Sequence, residues 1–229
     1  MIQITYHGHA CYSIMDPTYH LLIDPYLSEN PLAVISPEDL DPTHILVSHG
    51  HNDHLGDALP IAKRTKALII ATNELAIYCK NKGANVHGMN IGGSYAFPFG
   101  KVKLTPAWHS SSFLEDGKFI YTGDPGGFLI QIGGKNIYHA GDTGIFGDMK
   151  LIGDSVPLDC ALLPIGDNYV MGPDDAVLAA QMLQAKLTIP MHYNTFPLIR
   201  QDPALFIRKL EAVSLAGKVL KPEETITLA

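Results

Sequence analysis

The amino-acid sequence predicts an α/β fold in which two β-sheets lie face to face with helices outside. Three observations lead to this prediction: short apolar runs that end in polar residues, helix-start signals between these runs, and a Gly-Gly pair between two β-rich segments. Apolar runs of about four to eight residues bounded by turn residues are typical of buried strands. Open α/β sheets place their binding sites where such strands end.

Seven segments have this strand-like pattern, and they are spread over both halves of the chain. They are HLLIDP (20–25), HILVSHGH (44–51), ALIIAT (67–72), VKLTPAWHSS (102–111), NIYHAGDTG (136–144), CALLPIGDN (160–168) and LTIPMHYNT (187–195). In GGFLIQIGGKNIYHAG, two β-rich runs are joined by Gly133 and Gly134, which predicts a tight hairpin. Trp108, within the fourth segment, is expected in the core.

Four segments between the strands predict helices, two in each half of the chain. They are HLGDALPIAKRT (54–65), TNELAIYCKNKG (72–83), GPDDAVLAAQMLQA (172–185) and DPALFIRKLEAV (202–213). Pro60 is expected to break the first helix after one or two turns. Gly83 is expected to end the second, Pro173 to be the first helical residue of the third, and Asp202 to be the N-cap of the fourth.

Length and composition indicate a compact protein that we expect to form a single domain over 1–229. The 229 residues are 46% hydrophobic, which is enough for a sizeable core. The formal net charge of −7, without a long basic run, argues against a nucleic-acid partner. Three widely spaced cysteines without a CxxC pair are expected to be reduced and mostly buried. Without a signal peptide or a membrane-length apolar run, a cytoplasmic protein with no membrane span is expected.

The stretch SHGHNDHLG, from 48 to 56, carries the strongest chemical signal. It contains His49, His51, Asp53 and His54. Alternate residues at the end of an extended strand project to the same side, so His49 and His51 can bind one ion together as neutral imidazoles. Asp53 and His54 follow where the chain turns into a helix, and they point to a neighbouring spot. This one turn can therefore begin two adjoining metal sites.

Two sites need more ligands, and suitable residues recur at the ends of later strands. His109 ends TPAWHSS, Asp142 lies in the glycine-flanked AGDTG, and His192 ends TIPMHY. Glycines beside Asp142 allow the backbone to approach a ligand closely. A single His or Asp in such a place is more often a structural or surface residue. It is the combination with the histidine-rich turn that predicts a metal centre.

The motifs HGHNDH, IDP, WHSS, AGDTG and PMHYNT, in this order, resemble the signature of the metallo-β-lactamase superfamily. The segments GHA, GDTGIFGDM, LPIGDNYVMGPDDA and PMHYNTFP are similar to a little-characterised family of bacterial and archaeal metal-dependent hydrolases, in the branch that includes ascorbate-6-phosphate lactonase. The resemblance runs from about His7 to Pro197. It implies a four-layer αββα sandwich, the metallo-β-lactamase fold, with two divalent metal ions at the mouth of the two sheets.

By position, the resemblance implies two metal sites that share a bridging carboxylate. The ligands would be His49, His51 and His109 for the first ion, Asp53, His54 and His192 for the second, and Asp142 as the bridge. Zinc is the expected metal, with manganese, nickel or iron as alternatives, because imidazole and carboxylate ligands suit several divalent ions. The sequence lacks the cysteine ligand, the inserted nucleic-acid-binding domain and the tRNA exosite arm of better-known members, so antibiotic hydrolysis and RNA processing are not expected.

Two adjacent cations can share a water, lower its pKa and polarise a substrate oxygen. We therefore expect hydrolysis of a small, anionic ester, lactone or phosphodiester by a metal-bridging hydroxide. Asp53 would bind metal and orient this hydroxide. Asp24 would accept a hydrogen bond from a ligand histidine, or else be a turn residue. His9 would bind substrate or protonate a leaving group, or else be structural. Asp167 and Tyr169 are candidates for the pocket wall, with packing as the alternative.

Three other functions stay open at this point. The ligand set also suits a phosphodiesterase acting on nucleotides or phospholipids, because paired metals favour in-line displacement at phosphorus. Iron in the same ligands would make an oxidoreductase. The third alternative is a metal-binding protein without turnover. A small-molecule substrate is the expected partner, and a homo-oligomer is an open possibility.

Overall fold

The computed structural model describes residues 1–228, so Ala229, the last residue of the predicted domain, lies outside the described residues. The strands are β1 (Ile2–Gly8), β2 (Cys11–Met15), β3 (His20–Ile23), β4 (His44–Leu46), β5 (Leu68–Thr72), β6 (Asn85–Met89), β7 (Ser94–Phe97), β8 (Gly100–Pro106), β9 (Ser112–Glu115), β10 (Lys118–Tyr121), β11 (Gly126–Ile132), β12 (Lys135–His139), β13 (Cys160–Pro164), β14 (Thr188–Met191) and β15 (Thr225–Leu228). The α-helices are α1 (Asn52–Leu55), α2 (Ala58–Thr65), α3 (Asn73–Asn81), α4 (Met149–Ser155), α5 (Pro173–Leu183) and α6 (Pro203–Ala212).

The strands form two large mixed sheets and one separate hairpin. The seven-stranded sheet has the order β15-β1-β2-β3-β4-β5-β6, and the six-stranded sheet has the order β14-β13-β12-β11-β8-β7. Strands β3 to β6 run parallel, as do β12 to β14, while the remaining neighbours in each sheet are antiparallel. Strands β9 and β10 pair with each other as the hairpin.

Alternating side chains along the strands bury both faces of each sheet. In β4 and the residue after it, Leu46 lies in the core between the sheets, whereas Ile45 and Val47 pack in a second core with Ile61 of α2 and Leu75 of α3. On the other side, α5 packs against β13 and contacts α4 and α6. Burial on both faces explains why these strands are continuous apolar runs. The order helix, sheet, sheet, helix confirms the predicted αββα sandwich.

The predicted hairpin and helix starts are present. Strands β11 and β12 are joined by Gly133 and Gly134, both with positive φ (54° and 77°), which is the conformation that a two-residue hairpin turn requires. Helix α5 begins at Pro173. The Asp202 side chain accepts a hydrogen bond from the backbone N–H of Ala204, so it is the N-cap of α6 as predicted.

The prediction that Pro60 breaks the first helix is wrong. The break lies at Gly56, where α1 ends, and α2 begins two residues later at Ala58. A Cβ atom at Gly56 would lie 2.5 Å from the carbonyl oxygen of Pro25, so this close approach requires glycine. Pro60 is in the first turn of α2, where its missing N–H would have no partner within the helix.

The second half contains one helix more than predicted. Helix α4 includes Gly153, a residue that weakens a helix prediction. A Cβ atom at this position would lie 2.6 Å from the carbonyl oxygen of Leu183, so the glycine allows α4 to pack closely on α5. Within residues 1–228, no helix is long and apolar enough to span a membrane. Cys11, Cys79 and Cys160 are all buried and free, as predicted.

Candidate metal centre

The seven predicted metal ligands meet at one edge of the sandwich, although they come from both sheets. Each lies in a segment that follows a strand. His49 and His51 follow β4, Asp53 and His54 lie in α1, His109 follows β8, Asp142 follows β12, and His192 follows β14. The sheets thus face each other with their ligand-bearing loops at the same edge, as the strand-end pattern predicted.

The Asp142 carboxylate lies between two groups of imidazoles. Its Oδ2 atom is 4.0 Å from Nε2 of His49 and 3.6 Å from Nε2 of His109, which belong to the first predicted group. The same atom is 3.2 Å from Nε2 of His54 and 2.9 Å from Nε2 of His192, which belong to the second. One oxygen therefore faces both groups, which is the position that a bridging carboxylate needs.

Both groups have the spacing that a shared metal ion needs. Their ligand atoms lie within 4.8 Å of one another in each of two sets, His49, His51 and His109, and His9, Asp53, His54 and His192. The first set is the predicted one. The second contains the three predicted residues and also His9, which was not predicted as a ligand.

Several ligand atoms in this cluster lack any hydrogen-bond partner. Within residues 1–228, the buried atoms without a partner include Nε2 of His54, both ring nitrogens of His192 and Oδ1 of Asp142. Both imidazoles are near enough to Asp142 for electrostatic attraction, but they are not aligned for a hydrogen bond. Buried polar groups are nearly always paired, because an unpaired one costs about 1–3 kcal/mol. The donor set is one that divalent metals prefer, so these residues fit a metal ion.

The charges in the cluster are strongly coupled. Burial lowers the pKa of His192, but the carboxylates of Asp142 and Asp53 overcome this effect and raise the pKa to about 9. The pKa of His54 is also well above its ordinary value, because Asp142 and its other carboxylate neighbours outweigh burial. Burial raises the pKa of Asp142, yet His192 and His54 hold it well below its usual range. A metal ion therefore has to displace protons from two imidazoles.

Asp24 makes the contact that the sequence predicted. It is fully buried, and its Oδ2 accepts a hydrogen bond from Nδ1 of His54 at 2.8 Å. The backbone N–H and the hydroxyl of Ser48 donate to its two oxygens at 2.7 and 2.6 Å. Because Nδ1 of His54 is held in this way, its Nε2 atom is directed toward Asp142.

His9 lies beneath the cluster and not in the substrate cavity. Its side chain is fully buried, its ring centroid is 3.9 Å from that of His192, and its backbone oxygen accepts from the His192 N–H. Nδ1 is 2.8 Å from the Thr195 hydroxyl, and Nε2 is 3.1 Å from Oδ2 of Asp53. Both ring nitrogens are engaged, so the expectation that His9 contacts substrate or a leaving group is not supported. Its contacts orient Asp53.

Two supporting residues were missed by the sequence reasoning. His139, expected at the surface or in general packing, is fully buried, with Nε2 donating to the Ala10 carbonyl and Nδ1 accepting from the Gly141 N–H. It thus ties the loop that carries Asp142 to the turn that carries His9. Gly50, between His49 and His51, lies against Thr122 so closely that a Cβ atom would be 2.1 Å from the hydroxyl. The glycine inside HGH was the available signal for this contact.

A cavity of about 470 Å³ opens above the cluster. Its lining includes metal-ligand candidates and, farther out, residues of the β9–β10 hairpin and of the loops before α5 and after β14. The lining residues are His51, Asn52, Asp53, His109, Ser110, Ser112, Leu114, Phe119, Asp142, Tyr169, His192 and Phe196. Tyr169 therefore lies in the wall as predicted, whereas Asp167 is exposed outside it. The prediction of a core position for Trp108 is wrong, because this side chain is 72% exposed.

Comparison with known proteins finds a matching family model, similar sequences and a similar solved structure. The family model described as beta-lactamase superfamily domain matches residues 19–193. The UPF0173 metal-dependent hydrolase YtkL of Bacillus subtilis is 52% identical over 229 residues, covering 99% of this chain and 100% of the relative. A UPF0173 metal-dependent hydrolase of Anoxybacillus flavithermus is 50% identical, with 99% and 100% covered. Among solved structures, Igni18, a metallo hydrolase from the archaeon Ignicoccus hospitalis, has a TM-score of 0.91 and 38% identity, and 100% of this chain and 98% of that chain are covered.

Proposed function

Because this chain belongs to the metallo-β-lactamase superfamily and is a metal-dependent hydrolase, we propose that its His/Asp cluster holds two divalent cations and that it hydrolyses a small ester, lactone or phosphodiester. One observation carries the proposal. The buried ligand atoms of His54, His192 and Asp142 have no hydrogen-bond partner, and Asp142 faces both imidazole groups. Zinc is the metal that we propose first, with manganese, nickel or iron as alternatives.

The chain's own residues have distinct roles in this proposal. When bound, two divalent cations would lower the pKa of a shared water and polarise the substrate oxygen under attack. Asp53 has one oxygen near both His9 and His192, at 3.1 and 3.7 Å, so it can orient a polar group beside the second ion. Asp24 fixes the ring of His54. Of the three candidate catalytic residues, only Asp53 lines the cavity, so Asp24 and His9 are positioning residues.

We also propose that the substrate is anionic. Two divalent cations would carry more charge than the carboxylates of Asp53 and Asp142, and the bound centre would attract an anion. This applies to a phosphodiester and to an anionic ester or lactone alike. A phosphodiesterase is therefore tested beside the carboxyl-ester chemistry, whereas nothing in the site favours an iron-dependent oxidoreductase or a metal-binding protein without turnover.

We also propose the size of the substrate, the absence of a nucleic-acid partner and the location of the protein. A small-molecule substrate is supported by the size of the cavity, since known ligand pockets occupy about 300–1,000 Å³. The net charge of −7 supports the absence of a nucleic-acid partner. A cytoplasmic location is supported by the three free cysteines. Whether the chain forms a homo-oligomer is a question for a mass measurement in solution.

Metal content and hydrolysis, measured together, test the proposal. Protein prepared without chelator should contain about two Zn, Mn or Fe per chain by elemental analysis, and it should hydrolyse members of a lactone and phosphodiester panel. His51→Ala and Asp142→Ala should each lose metal and activity together. Asp53→Ala should lose the second ion and abolish turnover.

His87→Ala is the matched control, because His87 lies in β6 outside the cluster and packs on Tyr95 and Phe97. This variant should keep both metal and activity. Full activity of Asp53→Ala, or protein that binds no metal under any loading condition, would refute the proposed site.

A further inference from the structure

The outer half of the cavity is apolar, and the side chains that make it so are exposed. Leu114, Phe119 and Tyr169 are 46%, 78% and 52% exposed, respectively, and all three line the cavity together with Phe196. Single exposed apolar residues are common on proteins and need no explanation. Here several surround one cavity above the candidate metal centre, and exposed apolar groups that cluster in this way mark a binding site.

The β9–β10 hairpin explains how these side chains come to face the cavity. Successive side chains of a strand point to opposite faces. Leu114 and Phe119 are opposite each other in the register and share the face toward the cavity. Phe113 and Glu115 are on the other face, where Phe113 contacts the Tyr78 ring of α3 and Glu115 accepts from the Tyr78 hydroxyl.

The hairpin is therefore fixed to α3 by one face while the other is free. Lys82, directly after α3, also donates to Glu115, which adds an ion pair to this attachment. Leu114 and Phe119 contribute little to the core of the protein, because nearly half or more of each side chain is exposed. Their position is explained if a ligand covers them.

The charges of the lining indicate which kind of group that ligand presents. Among residues 1–228, the side chains that line the cavity include no Lys or Arg, and its only carboxylates are Asp53 and Asp142 of the cluster. A charged group placed against Leu114 and Phe119 would lose hydration without gaining a partner. An alkyl or aryl group would instead bury apolar surface there.

We propose that the substrate carries an alkyl or aryl group that packs against Leu114, Phe119, Tyr169 and Phe196 while its scissile bond lies at the metal centre. This inference rests on the proposed function for the scissile bond. It adds that the substrate is amphipathic, with a polar reacting end and an apolar end of several carbons. Small, wholly polar esters and phosphodiesters are then poor substrates.

Two series of compounds test the inference. The first is kinetic, with δ-lactones bearing side chains from methyl to hexyl and alkyl p-nitrophenyl phosphodiesters of the same chain lengths. Burial of one methylene gives about a fourfold gain, so kcat/KM should rise by up to that factor per carbon until the cavity is full. The second series measures binding of n-alkyl hydroxamates to zinc-loaded protein by calorimetry, and affinity should rise in the same way.

Leu114→Ala, Phe119→Ala and the double variant should flatten this dependence on chain length. Tyr121→Ala is the matched control. Tyr121 is on the same face of the hairpin and 68% exposed, but it does not line the cavity, so the wild-type dependence should persist. Circular dichroism of each variant shows whether the fold is retained.

The outcomes separate this inference from the proposed function. The apolar subsite would be overturned if hydrolysis rates did not depend on chain length, or if the double variant retained the dependence. The proposed hydrolase function would still stand in either case. If neither the lactones nor the phosphodiesters are hydrolysed but hydroxamate affinity rises with chain length, the proposed bond types are wrong and the subsite stands. Hydroxamate binding that is absent, or equal for all chain lengths, would refute the subsite.

Discussion

At the scale of single residues, Asp24 shows how much of the candidate site depends on one buried carboxylate. Three donors, two from Ser48 and one from His54, converge on its two oxygens. An amide of the same shape has a single acceptor oxygen, and its NH₂ group would face a donor. The contact therefore requires the carboxylate and not merely a polar side chain of this size.

We expect Asp24→Asn to weaken zinc binding by about 10–100-fold without unfolding the protein, because partners that orient metal ligands have effects of this size. Competition with a chromophoric chelator measures the affinity. Asp159→Asn is the control. Asp159 also accepts a backbone N–H, that of Asn136, but it lies directly before β13 and away from the cluster. An affinity equal to that of the wild type would show that Asp24 is only a turn residue.

Protonation of His192 should make the stability of the protein depend on pH, and only the metal-free protein should show this dependence. Its pKa of about 9 exceeds the unfolded value of about 6.5, so the protonated form stabilises the fold below about pH 6.5. This stabilisation is lost as the pH rises toward 9, and His54 acts in the same direction. The pKa values of His49, His51 and His109 are lowered by burial, so these residues titrate below this window.

Chelator-treated protein should therefore lose thermal stability between about pH 6.5 and 9, whereas metal-loaded protein should not, because a bound metal keeps these imidazoles deprotonated. The measurement is thermal unfolding, monitored by circular dichroism at several pH values across this range. In metal-free His192→Ala, the melting temperature should fall less steeply with rising pH than it does in the metal-free wild type. A melting temperature that rises with pH in the metal-free wild type would contradict the assignment of the charges.

The sequence predicted which His and Asp residues come together, because each lies in a segment that follows a strand. It could not predict that His9 lies beneath His192, since the two residues are 3.9 Å apart between ring centroids but belong to opposite ends of the chain. His139 was missed for the same reason. Its partners, Ala10 and Gly141, are brought together only by the packing of the two sheets.

At the scale of elements, the loop between β4 and α1 is held close to Thr122. We expect Gly50→Ala to reduce the free energy of unfolding by about 1–3 kcal/mol, the usual cost of overpacking, and to weaken metal binding because His49 and His51 flank the displaced residue. Urea unfolding measures the stability. Thr122→Gly removes the three atoms nearest to the new Cβ, so the double variant should recover part of the loss. A single variant as stable as the wild type would argue against this contact.

Elements with strong local signals were predicted, and those with weak signals were not. The β11–β12 hairpin has two glycines at its turn, and α5 and α6 begin with Pro and Asp signals. The β9–β10 hairpin was missed, although Asp116 and Gly117 form a turn signal between two short alternating runs. Both residues have positive φ, 50° and 74°, as such a turn requires. Leu114, Phe119 and Tyr121 are exposed, and Phe113 and Ile120 are only partly buried, so no buried pattern marked it as a pair of strands.

At the scale of the whole molecule, the candidate centre joins the two sheets. His49 and His51 follow a strand of the seven-stranded sheet, whereas His109, Asp142 and His192 follow strands of the six-stranded sheet. The facing of the sheets could be expected from the sequence. The order of the strands could not, because the pairing of β1 with β15 joins the two ends of the chain, and no local pattern specifies such a pair.

Because its ligands come from both sheets, bound metal should stabilise the molecule globally. A ligand present at about 1,000 times its Kd adds about 4 kcal/mol to the free energy of unfolding. For a protein of this size, this corresponds to a rise of about 10 °C in Tm. Calorimetric scans of metal-loaded and chelator-treated protein measure the difference. Equal melting temperatures would mean that metal does not join the sheets.

The contact between His9 and His192 also determines when the protein can acquire its metal. As the ribosome makes the chain, His9 emerges long before His192, the residue whose ring it contacts and the last predicted ligand of the second site. A nascent chain therefore holds Asp53 and His54 before the residue that completes the second predicted site has been made. If His192 binds the second ion, capture of that ion has to follow synthesis of His192 and the folding of the two sheets onto each other. The ion in that site would then be set by the metals available to the folded molecule.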